Sequence, residues 1–500
     1  MAGDPNVLAL DVGTSSVRAM LFDADARPLP EAFAKIPYRP TAHPGGGATF
    51  DADVLFEKTC DAIDLVAARA PDAFERVAAV GISTFWHSVV GVDEHGRART
   101  PLLLWVDMRS AEDAARLRGA LGFEAVRQRT GCPLHAAYVP AKLAWLKRVD
   151  PEAFSASRHF LSFGELLSLR LFGEPVVSPS MASASGLLDL RAGVWDVSLL
   201  DALGIRPDRL GILVDSDFRQ RKPLPDARAR WKPLADVPWA PAVGDGATGN
   251  FGTAGVGSKR ENRVVAMVGT SSSARATLER KPPDTLPPGL WTYRLAPART
   301  LMGGSFGSGG NLVQWAMDTF KLANLDDAEA EIAWSLQKDR VGSIACLPWL
   351  AGERSPGWND AARGAFSNVS FDTRPADFLQ AALESVAFAI ADVVESMTPA
   401  IGSEPEVIAS GFALVKSPVW IQILADVLGR PIVRSPWKEA SARGAAMLAL
   451  VAGGIAKDLT AISSQMEMGE PVAPSRARHE LYKEARARGR ALYSALMPPR

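Results

Sequence analysis

Hydrophobic and polar positions along the chain follow two kinds of pattern. Short apolar runs at residues 7–10 and 77–83 predict buried strands. Longer stretches at residues 51–70 and 377–394 repeat apolar residues at helical spacing and predict helices that pack on one face. Small residues fill 442–451, which predicts a helix that packs closely. Residues 178–196 are small and polar and predict an irregular loop.

The first apolar run leads into a stretch that combines a hairpin with reactive side chains. The strand ends at Asp11, residues 13–16 form a Gly-Thr-Ser-Ser turn, and residues 17–22 return. The turn offers backbone N–H groups and hydroxyls to an anion, and Arg18 adds a charge that grips phosphate. Asp11 offers an oxygen ligand to Mg²⁺. An ordinary hairpin with a polar turn has the same pattern, so this stretch alone leaves both interpretations open.

A second copy of the hairpin favours the phosphate interpretation. Residues 264–278 repeat the strand, Gly-Thr-Ser-Ser and an Arg, with one extra residue before Arg275. The two turn glycines, Gly13 and Gly269, are 256 residues apart, so the chain is predicted to contain two halves of similar core. Met267 stands where the first copy has Asp11. Two such hairpins facing each other across a cleft suit a nucleoside triphosphate, with the metal carboxylate on one side only.

Length and composition narrow the class of protein. Five hundred residues predict two domains, and 47% hydrophobic with 22% charged residues is typical of a soluble globular protein. The net charge of −1 does not favour a nucleic acid or a membrane as partner. Three cysteines far apart and no visible signal peptide predict a cytoplasmic location. A proline-rich stretch at 222–241 places the domain boundary between residues 1–243 and 244–500.

Asp245 is the candidate catalytic base. It stands between Gly244 and Gly246 at the end of an apolar run, where the glycines keep the backbone open to a substrate. A carboxylate there could accept a hydroxyl proton during phosphoryl transfer. Gly-Asp-Gly is also a common turn, and that alternative stays open at this point.

Other candidates carry weaker signals. The glycine turns at 307–310 and 410–411 each precede a helix and could seat a phosphate or a flat base. His87, beside Trp86, could bond a sugar hydroxyl, although a lone His is more often a core residue. Trp105, Asp107 and His135 have the same ambiguity. Aromatic, carboxylate and imidazole groups together are what polyol recognition needs.

Several motifs resemble the FGGY family of carbohydrate kinases, nearly from end to end. They are D-V-G-T-S-S-V-R at 11–18, G-D-G at 244–246, V-G-T-S-S-S at 268–273, G-G-N-L-V-Q-W at 309–315, L-P-W-L-A-G-E-R-S-P at 347–356 and S-G-F-A at 410–413. The resemblance implies an α/β, duplicated ribonuclease-H-like fold of the actin, hexokinase and sugar kinase type. Its two domains would hold ATP and the substrate in a central cleft.

The resemblance also implies roles for individual residues. Asp245 would be the catalytic base and Asp11 the ligand of Mg²⁺. The nucleotide ATP would be bound by Gly13, Thr14, Ser15, Arg18, Gly269, Thr270, Gly310, Gln314 and Gly411. The sugar would be bound by Trp86, His87, Trp105, Asp107, Arg109, His135 and Asp245. A homodimer is an assembly that the resemblance allows.

Within the family, the segments at 86–96, 103–110 and 129–135 look most like those of gluconate kinases. Phosphorylation of D-gluconate to 6-phosphogluconate is therefore the expected activity, with xylulose or another polyol as the alternative acceptor. A non-catalytic sugar-sensing protein on the same fold is the alternative of another class. His87 and Arg109 are the main candidates for the acid end of gluconate, with Arg354 as a further one. Trp86 stands where both kinds of kinase usually have Met, and Asn368 where the family usually has Gly.

Overall fold

The computed structural model describes residues 4–253, 255–256, 262–464 and 468–497. It is a mixed α/β structure in which each half of the chain builds a central sheet. The strands of the first half are β1 (Asn6–Val12), β2 (Ser16–Phe22), β3 (Pro28–Pro37), β4 (Thr41–His43), β5 (Gly47–Phe50), β6 (Val77–Thr84), β7 (Val90–Val92), β8 (Leu102–Leu103), β9 (His159–Leu161), β10 (Val176–Val177), β11 (Ile212–Leu213) and β12 (Val243–Gly244).

The first central sheet has the strand order β12–β6–β1–β2–β3. Strand β1 is antiparallel to β2 and parallel to β6, and β12 adds at the edge parallel to β6. The helices of the first half are α1 (Ala52–Arg69), α2 (Pro71–Phe74), α3 (Ala111–Leu121), α4 (Phe123–Thr130), α5 (Val139–Val149), α6 (Pro151–Ala156), α7 (Phe163–Phe172), α8 (Pro179–Ser185), α9 (Val197–Leu203), α10 (Pro225–Arg230) and α11 (Asp245–Gly252).

The second half builds a larger sheet on the same plan. Its strands are β13 (Arg263–Val268), β14 (Ser272–Leu278), β15 (Trp291–Ala296), β16 (Arg299–Phe306), β17 (Ala345–Leu347), β18 (Ala365–Ser367), β19 (Glu406–Ser410), β20 (Ile432–Arg434) and β21 (Pro471–Val472). The order is β15–β16–β14–β13–β19–β20–β21, with β13 antiparallel to β14 and parallel to β19. Each predicted hairpin is therefore at the centre of a sheet.

The helices of the second half cover this sheet and join the two halves. They are α12 (Gly310–Thr319), α13 (Leu325–Gln337), α14 (Pro375–Ile401), α15 (Phe412–Lys416), α16 (Pro418–Leu428), α17 (Ala440–Ala452), α18 (Leu459–Ser464) and α19 (Arg476–Leu496). The predicted amphipathic helix at 377–394 is confirmed inside α14, whose apolar face is buried in the core of the second half.

Helix α17 is the small-residue helix, and its composition explains where it lies. It packs on the first sheet, because a Cβ atom added to Gly81 of β6 would lie 1.9 Å from the carbonyl oxygen of Ala445. Gly444 makes an equally close approach to Thr248 of α11. A helix from the end of the chain thus completes the core beneath β1 and β6. The boundary between residues 243 and 244 stays a prediction.

The predicted irregular loop at 178–196 is wrong in its first part, where the chain forms α8. The Ser178 side chain caps this helix by accepting from the backbone N–H of Met181, and Pro179 follows at the first helical position. The helix is buried, and small residues suit such a position. No helix among the described residues has the length and apolar character to cross a membrane.

Asn368 is the position where the family usually has Gly. Its φ angle of 67° lies in the left-handed region, which glycine adopts freely and asparagine tolerates better than most residues. The side-chain amide donates to the carbonyl of Ser343 at 2.7 Å. Asn368 therefore keeps the left-handed backbone conformation that a Gly at this position would adopt freely.

Candidate active site

Asp245 begins α11 directly after β12, the edge strand of the first central sheet. It is half-buried, and its carboxylate accepts from the N–H of Gly246 at 2.9 Å. Burial raises its pKa to about 6, the nearby charge of Asp11 adds to the rise, and the charge of Arg275 opposes it. At neutral pH the group is mostly ionised and can accept a proton.

The glycines beside Asp245 make room for a protein side chain rather than only for a substrate. A Cβ atom on Gly244 would lie 1.6 Å from Nε1 of Trp86, and one on Gly246 would lie 2.1 Å from Cζ3 of the same indole. Trp86 is buried, with its ring centroid 5.1 Å from that of Tyr293. The indole of Trp86 therefore packs against the two glycines on either side of Asp245. The role of Trp86 in sugar binding stays a prediction.

The first hairpin carries an ion pair where the sequence predicted a free phosphate-binding arginine. Asp11 and Arg18 lie directly opposite each other in the ladder, and an Arg18 nitrogen lies 2.9 Å from the Asp11 carboxylate. Nε of Arg18 lies 3.3 Å from the carboxylate of Glu439. The charge of Arg18 is shared between these two acids in this structure. Burial raises the pKa of Asp11 despite the arginine.

The turn of this hairpin contacts a residue that is predicted to bind the sugar. Gly13 donates its N–H to the carbonyl of Ser16 at 3.0 Å, and Ser15 is exposed. The Thr14 hydroxyl accepts from Nε1 of Trp105 at 3.3 Å, which ties the predicted phosphate loop to a predicted sugar residue.

The residues around Asp11 fit a magnesium ion. Asp11 and Asp245 are close enough for the charge of the first to raise the pKa of the second. A bound cation would reduce the repulsion between these two carboxylates. Among the described residues there is no cluster of three or more metal-ligating side chains. Mg²⁺ in phosphoryl-transfer sites is usually held by one or two carboxylates together with water and substrate phosphates, so the pair is sufficient.

The predicted nucleotide-binding glycines converge on the second hairpin. Gly310, the first residue of α12, donates its N–H to the carbonyl of Gly269 at 2.7 Å, and the carbonyl of Thr270 accepts from residue 311 at 3.1 Å. Gly411 has a φ angle of 86°, and a Cβ atom there would lie 2.4 Å from the carbonyl oxygen of Val268. Gln314 is exposed on α12 and donates to Asp318 at 3.0 Å.

His87 has a defined tautomer. Nδ1 lies 2.8 Å from the carbonyl oxygen of Ala184 in α8, and because a carbonyl only accepts, Nδ1 carries the proton. Burial and the charge of Arg354 hold the pKa of His87 well below its usual value. Its Nε2 is therefore a neutral acceptor that suits a hydroxyl group. The expectation that His87 supplies a cation or donor to an acid is wrong. Its φ angle of 58° lies in the left-handed region, which is uncommon for a residue other than glycine.

The side chains of Asp107 and Arg109 form an ion pair with each other. Nε and a terminal nitrogen of Arg109 donate to the Asp107 carboxylate at 3.0 and 2.6 Å, and the guanidinium lies 4.5 Å over the ring of Trp145. Asp107 also accepts from the backbone N–H of residue 48 at 3.1 Å, and its pKa is lowered by the bonds to Arg109. Arg109 is thus engaged inside its own domain, against its predicted role at the acid end.

His135 belongs to a bridge between the halves. Its Nδ1 accepts from the N–H of Ala137 at 3.1 Å, so Nε2 carries the proton, and Nε2 lies 2.6 Å from a carboxylate oxygen of Asp360. Arg118 also reaches Asp360 at 3.3 Å. Asp360 was not predicted as a site residue, because it lies 225 residues from His135 and no sequence pattern joins the two. The ring of Trp358 packs beside His135 with centroids 5.5 Å apart.

Two basic residues of this region differ from the main predictions. Arg354 was only a further candidate in the sequence, and Lys142 was not predicted. Arg354 lies 5.4 Å over the ring of Trp105, its charge lowers the pKa of both His87 and His135, and it forms no ion pair within the described part of the chain. Its buried Nε has no hydrogen-bond partner there. Lys142 is buried and donates to a carbonyl at 2.6 Å, and burial lowers its pKa to about 7.

Comparison with known proteins places this geometry in a family. The FGGY family of carbohydrate kinases, N-terminal domain, matches residues 6–252, and the C-terminal domain of the same family matches residues 264–453. A gluconokinase of Bacillus subtilis is 27% identical over 474 residues, which cover 92% of this chain and 90% of that one. A xylulose kinase of Escherichia coli is 28% identical over 497 residues, 98% of this chain and 99% of that one.

The fold has a counterpart among solved structures. The crystal structure of a gluconate kinase from Lactobacillus acidophilus superposes with a TM-score of 0.89, covering 99% of this chain and 98% of that one at 23% identity. At this identity the likeness shows the two-domain α/β fold and leaves the substrate open.

Proposed function

This chain belongs to the FGGY family of carbohydrate kinases, and from that premise we propose that it transfers the γ-phosphoryl group of ATP to D-gluconate, giving 6-phosphogluconate and ADP. The kinase activity and ATP follow from the family. The acceptor, the magnesium ion and the roles of individual residues are the proposal.

Asp245 acts as the base. It accepts the proton of the acceptor hydroxyl as that oxygen attacks the γ-phosphorus, and ADP leaves with the electron pair of the broken bond. Arg275, whose terminal nitrogen donates to the carbonyl of Gly246 at 2.9 Å, keeps Asp245 ionised at neutral pH. Asp11 would hold Mg²⁺, which neutralises phosphate charge when bound.

The observation that carries the acceptor is the positive charge of this part of the cleft. Arg354 supplies this charge and has no carboxylate partner within the described chain. Lys142 adds a buried nitrogen that is only partly protonated at neutral pH, because burial lowers its pKa to about 7. A carboxylate that entered this region would gain a charge-assisted hydrogen bond from Arg354. The gluconokinase relative is consistent with that chemistry.

Xylulose or a related polyol is the alternative acceptor. The unprotonated Nε2 of His87 favours it, because that nitrogen accepts from a hydroxyl and offers nothing to an acid. The xylulose kinase relative covers nearly the whole chain, so it carries similar weight.

An ADP-release assay with gluconate, xylulose, ribulose and glycerol separates these acceptors. We expect gluconate to have the highest kcat/KM. A faster turnover of xylulose would mean that the ketose, and not gluconate, is the acceptor. No turnover of any of these compounds would favour a non-catalytic sugar sensor.

A pair of variants then tests the charge argument. Arg354→Met should lower kcat/KM for gluconate by about tenfold to a hundredfold, since a hydrogen bond to a charged group contributes about 1.5–3 kcal/mol, and it should affect neutral polyols less. Arg109→Met is the matched control, because Arg109 is already paired with Asp107 and should not discriminate between acid and neutral acceptors. Equal losses for gluconate and xylulose in Arg354→Met would contradict the assignment.

A further inference from the structure

A cavity lies in the C-terminal half, apart from the residues to which the phosphoryl transfer is assigned. Its volume is about 580 Å³, within the range of small-molecule sites. It opens between α14, α19 and the segment that follows β17. Its walls include Leu347, Pro348, Trp349, Phe388, Arg486 and Tyr493.

The inner walls of this C-terminal cavity are flat and apolar. The rings of Trp349 and Phe388 and the faces of Pro288, Pro348 and Pro356 line it. Trp349 is buried, and its Nε1 has no hydrogen-bond partner in the described part of the chain. Aromatic and proline faces of this kind suit a planar ring, which packs well by stacking.

The charged groups of the cavity disfavour an anion. At the rim, Arg486 and Arg490 each reach Asp392, at 2.6 and 2.7 Å, and Arg490 also reaches Glu395 at 3.1 Å. The two arginines and the two carboxylates at the rim therefore form ion pairs with one another. Inside the cavity, Glu353 adds a buried carboxylate, so acceptors outnumber the cations. A ligand with hydrogen-bond donors and no negative charge matches this lining.

The cavity and the acceptor region share one stretch of backbone, residues 353–358. On the cavity side, Glu353 accepts from the hydroxyl of Tyr493 and from the N–H of Gly357, the second at 3.0 Å. On the cleft side, the next residue is Arg354, over Trp105. Trp358 packs against His135, and its Nε1 donates at 2.8 Å to the carbonyl of Gly289, which lines the cavity.

We propose that this cavity is an effector site for a small planar-ring compound that carries hydrogen-bond donors and no anionic group, and that its occupancy alters acceptor binding through residues 353–358. A ligand that contacts Glu353 and Tyr493 competes for the bonds that position this segment. A shift of the segment moves Arg354 and Trp358 together. The proposal rests on the kinase activity of the family and not on the identity of the acceptor.

Binding is tested by calorimetry on the full chain, saturated with a non-hydrolysable ATP analogue so that the catalytic nucleotide site is filled. Two matched pairs of probes differ mainly in charge: adenosine with AMP, and tryptamine with indole-3-acetate. We expect adenosine or tryptamine to bind and its anionic counterpart to bind more weakly. Absence of binding by both uncharged or cationic probes, or equal binding of the anions, would overturn the proposal.

A variant that fills the cavity locates the binding. Gly489 lies on α19 at the cavity, and an added Cβ atom there would meet nothing within 4 Å, so Gly489→Leu should fold. Gly119→Leu is the control, because Gly119 lies in α3 with equally open space and far from the cavity wall. Gly489→Leu should weaken probe binding by about tenfold or more, the effect of an overpacked site, while Gly119→Leu should not.

A kinetic measurement tests the coupling. In the wild type, the bound probe should change the KM of whichever sugar the enzyme turns over by about fivefold or more, and Gly489→Leu should abolish that response. Ser494→Phe, an exposed substitution at the same cavity, should reproduce the loss. Unchanged binding in both cavity variants places the probe elsewhere and refutes the site, and binding without any change of KM refutes the coupling.

Discussion

The two central hairpins of this molecule start from nearly the same residues and place their arginines differently. In the first, Val12 pairs with Val17 and Arg18 lies opposite Asp11. In the second, Val268 pairs with Ser272 and Arg275 lies opposite Val265. The second hairpin has one residue fewer in its turn and one residue more between its turn glycine and its arginine. Arg275 therefore lies two ladder positions, about 7 Å, further from its turn than Arg18 lies from the first turn.

This displacement separates the chemistry of the two hairpins. Arg18 pairs with Asp11, the predicted magnesium ligand of its own hairpin, whereas Arg275 lies opposite Val265 on its hairpin and its charge lowers the pKa of Asp245. The first turn accepts a hydrogen bond from Trp105, a predicted sugar residue, and the second turn accepts bonds from the start of α12, a predicted nucleotide segment. A duplicated element thus supplies different functions because small changes of register redirect one side chain.

The largest effect is expected at Asp245, which both hairpins influence. Asp245→Asn should lower kcat by roughly two to four orders of magnitude, the contribution of a general base, while ATP binding is retained. Steady-state kinetics measure kcat, and a nucleotide titration measures ATP binding. Near-normal kcat in this variant would remove Asp245 from the role of base.

The matched positions Asp11 and Met267 give the next effect. Asp11→Asn should raise the Mg²⁺ concentration for half-maximal activity by about tenfold to a hundredfold, because the site loses a charged oxygen ligand. Met267→Leu, at the equivalent place in the other hairpin, should leave it unchanged. A similar magnesium dependence in both variants would mean that the hairpins do not differ in metal binding.

The two arginines should differ in the pH profile. Arg275→Met removes the charge that lowers the pKa of Asp245, so that pKa rises and the acidic limb of kcat/KM should shift upward by about 1 pH unit. Arg18→Met should shift it less, since Arg18 is paired with Asp11 and Glu439. Profiles that move equally would contradict the assignment of Arg275 to Asp245.

The smallest effect concerns stability. The pKa of Asp245 is about 6 in the folded state against an ordinary value of 3.8, so the folded protein binds the extra proton between these values and its ionised carboxylate destabilises the fold above pH 6. Asp245→Asn removes that cost and should raise Tm at pH 8 by roughly 1–3 °C. The gain should shrink as pH falls through 6 and vanish near 4. A constant gain at all pH values would point to a cause other than this ionisation.

The sequence determined the elements and the duplication of this protein. Apolar runs specify strands and helical spacing specifies α14, because these patterns depend on neighbours along the chain. The repeat of Gly-Thr-Ser-Ser located both hairpins, and Gly-Asp-Gly located Asp245. The helix at 179–185 was missed because small polar residues give no periodic signal, although its Ser-Pro start was visible.

Only the tertiary structure decided which side chains are free to act. Arg109 and Arg18 were equally plausible as binding residues in the sequence, and each proves to have a carboxylate partner. Arg354 becomes prominent because it has no carboxylate partner among the described residues, and His87 changes role because Ala184 fixes its tautomer. These contacts join residues far apart in the chain, and the charge and protonation of a side chain depend on such neighbours. A sequence pattern names the groups, but the fold sets their pairing.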